Sequence, residues 1–387
     1  MNENTLMIAA AGSGKTEMLI IKALSVSTGN VLITTYTEAN EAEIRRRIIK
    51  LKGYIPENIT VQTWFSFLLQ HGVRPYQSIL GNFLQNIDIG FILVSEKSGK
   101  KTDSNGVPIK FNERPIYWPE TNTKKHYFNN SMKIYSDKLS KFVFMCNKSS
   151  KGLVIDRISN LYKNIFFDEI QDLAGFDLEI IKLLLMSKSI ILMVGDPRQV
   201  TYLTHITSKY GKYSDGKIKD FISNELGKKI KCNIDEFTLN SSHRNNMSIC
   251  QFSAKMYPDL PIPLPCSCLN CRRVFPQHEG FFLIKPHDVE RYLNEYNPVQ
   301  LRWSSAVRVN KKFNVVNFGE SKGLTFERAL IYPTKDMISW IYNNNFHIKN
   351  QTRAKLYVGI TRARYSVAIV IDFSDEDEFK DVNKFKY

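Results

Sequence analysis

The run Ala9-Ala10-Ala11-Gly12-Ser13-Gly14-Lys15-Thr16 ends in a cation and a hydroxyl. It follows an apolar stretch, Leu6–Ala9, and opens a stretch of helical spacing over Glu17–Val26. A phosphate cradle needs that placement: glycines let successive backbone N–H groups turn onto phosphate oxygens, and the helix N-terminus adds the positive end of its dipole. In such a cradle Ala11, Gly12, Ser13 and Gly14 supply the backbone. Lys15 reaches the β and γ phosphates, and the Thr16 hydroxyl holds Mg²⁺. The first position of the usual pattern, a glycine, is Ala9 here, still a small residue. A second group of chemical residues is Asp168-Glu169-Ile170-Gln171-Asp172, just past the apolar stretch Asn164–Phe167. A carboxylate at a strand end, Asp168, holds Mg²⁺ through water, and its neighbour Glu169 polarises an attacking water. An acidic helix start would look the same in isolation. After a strand, in a chain with a phosphate loop, the catalytic reading is preferred.

A third group is Cys266-Ser267-Cys268-Leu269-Asn270-Cys271, with His278 beyond it. The spacing could hold zinc, which takes four tetrahedral ligands, with His278 a candidate for the fourth, which the spacing does not fix. Reduced thiols in the Pro-rich loop of about 258–276 are the other reading.

These residues must be held by an alternating chain. Val31–Thr35 reads as a buried strand, Ala39–Leu51 as a charged helix with Ala42, Ile44, Ile48 and Ile49 apolar, and the first 75 residues as strand, helix, strand, helix, strand. That rhythm means a parallel sheet wrapped by helices. A polar stretch at 95–130 interrupts it and reads as an insertion. The rhythm returns with the strand Asn164–Phe167, the helix Asp177–Met186 and the strand Ile190–Val194. A turn and helix follow over Leu239–Tyr257, then strands at Asn314–Asn317, Ala329–Tyr332 and Val367–Ile371.

The whole composition limits the partners. The chain has 387 residues, room for two domains, and 43% are hydrophobic, enough for real cores. Lys and Arg number 53 against 38 Asp and Glu, a net charge of +15. Such an excess suits a polyanion, although a merely basic soluble protein shows the same sum. Aromatics reach 12%, and bases stack on rings, which leans toward single strands. No apolar run approaches the ~20 residues of a membrane span, and the stretch Leu6–Ala11 does not read as a signal peptide. Six cysteines in a chain this long do not form a disulfide scaffold, so a cytoplasmic setting without membrane contact is expected.

At Gly12–Thr16 and Asp168–Asp172 the sequence resembles the UvrD/Rep branch of superfamily 1 helicases, and further segments follow in that family's order. Thr35-Tyr36-Thr37-Glu38-Ala39 resembles motif Ia, whose aromatic stacks a base, and Thr63-Trp64-Phe65-Ser66 resembles motif Ib. Gly195-Asp196-Pro197-Arg198-Gln199 resembles motif III, with Gln199 as γ-phosphate sensor. Ser242-His243-Arg244 takes the place of motif IV, Ser321-Lys322-Gly323-Leu324-Thr325-Phe326 resembles motif V, and Tyr357-Val358-Gly359-Ile360-Thr361-Arg362-Ala363-Arg364 resembles motif VI. The resemblance implies an α/β fold of two RecA-like P-loop domains, 1–230 and 231–387, with parallel sheets flanked by helices and a small insertion at about 75–150 in the first. ATP lies in the cleft between them in that family, with Arg244 and Arg362 reaching the γ-phosphate and Gly323 and His243 near the nucleotide. The implied activity is an ATP-dependent translocase or helicase that moves 3′ to 5′ on single-stranded DNA, with RNA the other possible track.

The sequence also departs from that pattern. Eight residues precede the loop, leaving no room for the family's glutamine motif, so weaker adenine preference is expected, with His243 as the remaining stacking group. Motif V carries Thr325 where the family has a Glu. Motif III continues Tyr202-Leu203-Thr204-His205 without the Trp-Arg pair that supports a base, leaving Tyr202 and His205 beside Tyr36, Thr37, Thr63 and Trp64 as nucleic-acid contacts, with a buried core aromatic as the other reading of Tyr36 and of Trp64. About 70 residues separate Arg244 from Val315, too few for the large second-domain insertion, so this is a compact form expected to translocate better than it unwinds. The competing function is an NTP-sensing regulatory subunit in a complex with a nuclease-type effector, as in anti-phage defence.

Overall fold

The computed structural model describes residues 3–201, 209–227, 230–268, 271, 277–379 and 382–386. The chain divides into two units. The first is Met1–Leu6, Thr16–Val194 and Leu203–Asn233; the second is Met7–Lys15, Gly195–Tyr202 and Ile234–Tyr387.

The first sheet is built from β1 (Asn4–Ile8), β2 (Val31–Thr35), β3 (Ile59–Thr63), β4 (Asn164–Asp168), β5 (Ile190–Gly195) and β6 (Cys232–Asp235), in the order β6-β1-β5-β4-β2-β3. The pairs β2–β3, β2–β4 and β4–β5 are parallel. Strands β2 and β4 are buried along their whole length, as a sheet covered on both faces requires, and this is why they read as continuous apolar runs. Helix α1 (Lys15–Leu24) buries Leu19, Ile20 and Ala23. Helix α2 (Glu38–Lys52) starts where the Thr37 hydroxyl accepts from Asn40 N at 3.1 Å and ends at Gly53, whose φ of 84° places it in the left-handed region. Its buried residues are Ile44 and Ile48; Ile49, expected inside, is 47% exposed.

Between 75 and 135 lie 3₁₀ turns, two-residue strands and the five-residue helix Thr123–Tyr127. The sequence reading gave no element between 130 and 164, yet α3 (Ser136–Ser149) and α4 (Leu153–Leu161) fill that span. They are part of the packed body: α3 buries Leu139, Phe142, Val143 and Cys146. Its buried face also takes in Ser136, Lys138, Ser140 and Asn147, so the apolar stripe is interrupted by polar residues and hard to see in sequence. Helix α5 (Phe176–Leu185) and helix α6 (Ile218–Glu225) complete the first unit.

The second unit opens with a short parallel pair, β7 (Ser241–Ser242) and β8 (Leu264–Pro265). Its main sheet uses β9 (Gly280–Ile284), β10 (Val299–Arg302), β11 (Val315–Asn317), β12 (Phe326–Ile331), β13 (Ala363–Val370) and β14 (Asn383–Lys384), in the order β11-β10-β12-β13-β9-β14, every neighbouring pair parallel. Its helices are α7 (Met247–Ala254), α8 (Val289–Tyr296), α9 (Lys335–Tyr342) and α10 (Asn350–Thr361). In its core Phe252 stacks on Phe281 at 3.8 Å between centroids, with Trp340 edge-on to Phe252 at 5.7 Å. The first sheet is parallel along β5-β4-β2-β3, as the alternation predicted, and the second is parallel throughout, as the resemblance implied. Among the described residues no helix is long and apolar enough to cross a membrane.

Candidate nucleotide and nucleic-acid site

The glycine loop lies in the second unit except for Thr16. Gly12 and Gly14 have φ of 73° and 78°, a region that favours glycine, so the chain can fold tightly around a bound group. Ala9 N donates to Gly195 O and Ala10 N to Leu239 O, both at 2.8 Å, which fixes where the loop begins. The Ser13 hydroxyl is buried and has no hydrogen-bond partner among the described residues, so it is open to a bound acceptor or donor. Gly12 accepts from His243 N at 2.8 Å. A Cβ on Gly12 would stand 2.7 Å from Arg244 Cβ and 2.8 Å from Ser242 Oγ, so this glycine lets the segment bearing Arg244 lie directly against the loop.

Arg362 ends α10, is 4% exposed, and donates from Nη2 to Gln199 Oε1 at 2.6 Å and from Nη1 to Leu324 O at 3.2 Å. Gln199 Nε2 donates in turn to Asp196 Oδ2 at 2.8 Å, and Tyr357 Oη donates to the same oxygen at 3.3 Å. The other Asp196 oxygen meets Arg198 Nη1 at 3.2 Å, and Arg198 also donates to Ala9 O at 3.3 Å and Pro261 O at 2.8 Å. One buried network therefore runs from Arg362 through Gln199, Asp196 and Arg198 to the first residue of the phosphate loop. Burial, reinforced by the Asp196 carboxylate, holds the Tyr357 phenol far above its ordinary range, so it stays a donor. Arg244 Nη1 donates to Thr361 O at 3.2 Å, and Asn245 Nδ2 donates to Thr361 O at 3.0 Å and Ala363 O at 2.8 Å. Gly323, with φ of 90°, stands beside Leu324, whose carbonyl receives Arg362.

Thr16, Asp168 and Glu169 belong to the first unit. Thr16 Oγ1 donates to Asp168 Oδ2 at 2.9 Å at the buried end of β4. A hydroxyl and a carboxylate at that separation fit the coordination shell of one Mg²⁺. Glu169 follows with φ of 57°, a left-handed backbone at a non-glycine residue, and its carboxylate accepts from Gln171 Nε2. Such strain concentrates where a side chain must be aimed.

The expected nucleic-acid contacts divide. Tyr36 is partly exposed, edge-on to Phe65 at 5.4 Å, with its phenol pushed up to about 12 by burial and then by Asp177 and Asp172. Thr37 caps α2. Thr63 caps the helix Trp64–Phe67 and donates to Ser66 Oγ at 2.9 Å. Trp64 overturns its expectation: it is 1% exposed, stacks on Phe67 at 5.6 Å, and donates from Nε1 to the fully buried Asp177 at 2.7 Å, so neither ring face is open to a base. Tyr202 and His205 lie outside the described residues.

The cysteine cluster also differs from expectation, in its histidine. His278 is buried against Phe282 and Tyr296, with ring centroids 4.3 and 4.0 Å away, and its Nε2 lies 2.8 Å from Tyr292 Oη. That aromatic packing, beside the start of β9, excludes it from the thiols. His243 stands there instead, Nδ1 at 3.6 Å from Sγ of both Cys268 and Cys271. The ring expected to stack on adenine thus turns one edge to sulfur, while Cδ2 lies 3.8 Å from the Cβ position of Gly14.

Asp196, Arg198, Asn245 and Tyr357 belong to the same architecture and were not singled out individually from sequence. Asp196, Arg198 and Tyr357 stand inside recognisable segments; Asn245 carries no spacing signal, because only folding brings Thr361 to it.

A strand running into a left-handed glycine loop with Lys-Thr, and an Asp-Glu pair ending a parallel strand, define a P-loop nucleotide-binding α/β chain. The UvrD/REP helicase N-terminal domain family matches residues 1–106 and 108–203. The chain belongs to the UvrD/REP helicase family. Two solved structures are similar to it: the arterivirus nonstructural protein 10 helicase, at 12% identity, and its complex with DNA, at 13%. Each covers 97% of this chain with a TM-score of 0.44, and this chain spans 60% and 62% of their lengths. No curated protein matches the chain.

Proposed function

We propose that this chain is an ATP-driven motor that moves 3′ to 5′ along single-stranded DNA in the cytoplasm. The observation that carries the reading is the convergence on the phosphate loop of both arginine segments, Arg244 through Gly12 and Arg362 through Gln199, Asp196 and Arg198. Two guanidiniums tied to a phosphate loop suit a charge-spreading transition state, for which an arginine is worth on the order of 10³–10⁵ in rate.

The residues fit Mg²⁺-ATP: left-handed glycines, a buried unpartnered Ser13 hydroxyl and a Thr16–Asp168 pair. When bound, that group supplies the transferable phosphoryl and the divalent charge. Lys15 grips phosphate oxygens, and the Ala11–Gly14 backbone donates to them. Glu169, held by Gln171, orients a water and takes its proton. Gln199 reports the state of the γ-phosphate position to Arg362, because its amide bridges Arg362 and Asp196. The net charge of +15 supports a nucleic-acid track, with Tyr36 the stacking group.

The test is ATP turnover with and without single-stranded DNA. Strong stimulation, abolished by Lys15→Ala and by Glu169→Gln, with Glu169→Gln still binding nucleotide, supports the motor. Replacing Arg362 by Ala lowers kcat by about 10³-fold or more. Turnover indifferent to DNA refutes it and favours the NTP-sensing subunit of a nuclease complex. The burial of Trp64 lends that second reading its support, since it removes one base-stacking group.

A further inference from the structure

We propose that His243, Cys266, Cys268 and Cys271 form a structural zinc site that pins the turn carrying Arg244 beside the phosphate loop. One ligand atom from each residue lies within 4.8 Å of all the others. The His243 Nδ1–Sγ separations are 3.6 Å to both Cys268 and Cys271. Bonds of about 2.3 Å to sulfur and 2.0–2.1 Å to nitrogen at tetrahedral angles imply N···S of about 3.6 Å and S···S of about 3.8 Å. The nitrogen–sulfur distances already meet that geometry. The sulfurs of Cys268 stand 3.2 Å from Cys266 and 2.9 Å from Cys271, so the thiols open by less than about 1 Å around an ion. None of the three is in a disulfide.

The fold builds this cluster deliberately. Pairing of β7 with β8 aligns Ser242 with Pro265, and Cys266 N donates to Ser242 O at 2.9 Å. The residues that follow the paired ends, His243 and Cys266, are therefore neighbours. Cys271 N donates to Cys268 O at 3.2 Å, which holds two more sulfurs at the same point. Three thiolates and an imidazole are soft and borderline donors, the set that selects zinc over magnesium or calcium. Binding displaces three thiol protons to solvent and leaves the histidine neutral, with no change of oxidation state.

The position gives the site its consequence. His243 N donates to Gly12 O, and the next residue is Arg244. An ion on the His243 ring immobilises the backbone on which the arginine stands. This consequence for Arg244 rests on the motor reading; the metal site does not.

The experiment is metal analysis of the full chain purified under reducing conditions, without nucleotide. One zinc per chain is expected, released on titration of the thiols. Reconstitution with Co²⁺ should give the sulfur-to-metal charge-transfer absorption of three thiolates. Cys268→Ser combined with Cys271→Ser should abolish both signals, and His243→Ala should weaken binding by about tenfold or more and alter the cobalt spectrum. Cys250→Ser, at a buried cysteine outside the cluster, should keep the metal. Absence of zinc after dialysis against Zn²⁺, retention in the double variant, or an unchanged spectrum in His243→Ala overturns the site. An ATPase insensitive to DNA would leave all these results unchanged, so failure of the motor and failure of the metal site are distinguishable.

Discussion

Replacing Gly12 by Ala measures how closely the arginine segment must approach the phosphate loop. Two effects operate. The first is conformational: at φ of 73° a Cβ costs about 1–2 kcal/mol. The second is steric: the new methyl would lie 2.7 Å from Arg244 Cβ, 2.8 Å from Ser242 Oγ and 3.3 Å from Arg244 N. Carbon atoms rest at about 3.5–4.0 Å, so the Arg244 backbone must retreat by about 1 Å. A displacement of that size at a catalytic group lowers the rate by about 10²-fold. Gly53→Ala provides the control, because Gly53 has φ of 84° and no atom of the described residues within 4 Å of its Cβ position. It bears the conformational cost alone. Both variants should melt a few degrees lower, by about 2–4 °C per kcal/mol. Only Gly12→Ala should lose DNA-stimulated kcat, by about 10²-fold. The assay is steady-state phosphate release at saturating ATP, alongside thermal melting. Gly12→Ala with kcat within about twofold of the parent, or Gly53→Ala with an equal loss, would refute the reasoning.

Trp64→Phe removes the donor to the buried Asp177 and should lower stability by about 1–3 kcal/mol, read by denaturant unfolding, with single-stranded DNA affinity unchanged. Were Trp64 a stacking platform, Trp64→Ala would instead lower the DNA affinity of the folded protein by about tenfold or more. His71 is buried; Arg157 donates to its Nδ1 at 3.1 Å, which leaves the Nε2 proton to face Tyr162 Oη at 3.3 Å. Burial, then the Arg157 charge, lowers its pKa to about 4. The unfolded chain therefore takes up a proton first as pH falls. Stability from this group is complete above about 6.5 and declines between there and about 4, by about 1–2 kcal/mol after allowance for solvent screening. His71→Gln should flatten that part of a melting-temperature profile against pH; a slope identical to the parent's would refute the assignment.

Much of the local structure was legible, because it is set within a few residues. A phosphate loop requires particular residues in sequence order, and so does an Asp-Glu pair at a strand end; continuous apolar runs such as Val31–Thr35 appear because a parallel strand is buried on both faces. Thr37 and Gly53 bound α2 through backbone rules that act within a few residues. What the residues do to distant partners was not legible. Trp64 and Tyr36 are both aromatics after a strand, yet Asp177, 113 positions along the chain, draws one into the core. His278 follows the cysteines in sequence, yet aromatic packing removes it, and the pairing of two short strands puts His243 in its place. Sequence specifies donor types and their local spacing; only the folded chain decides which distant donors meet, because burial and strand register act through space.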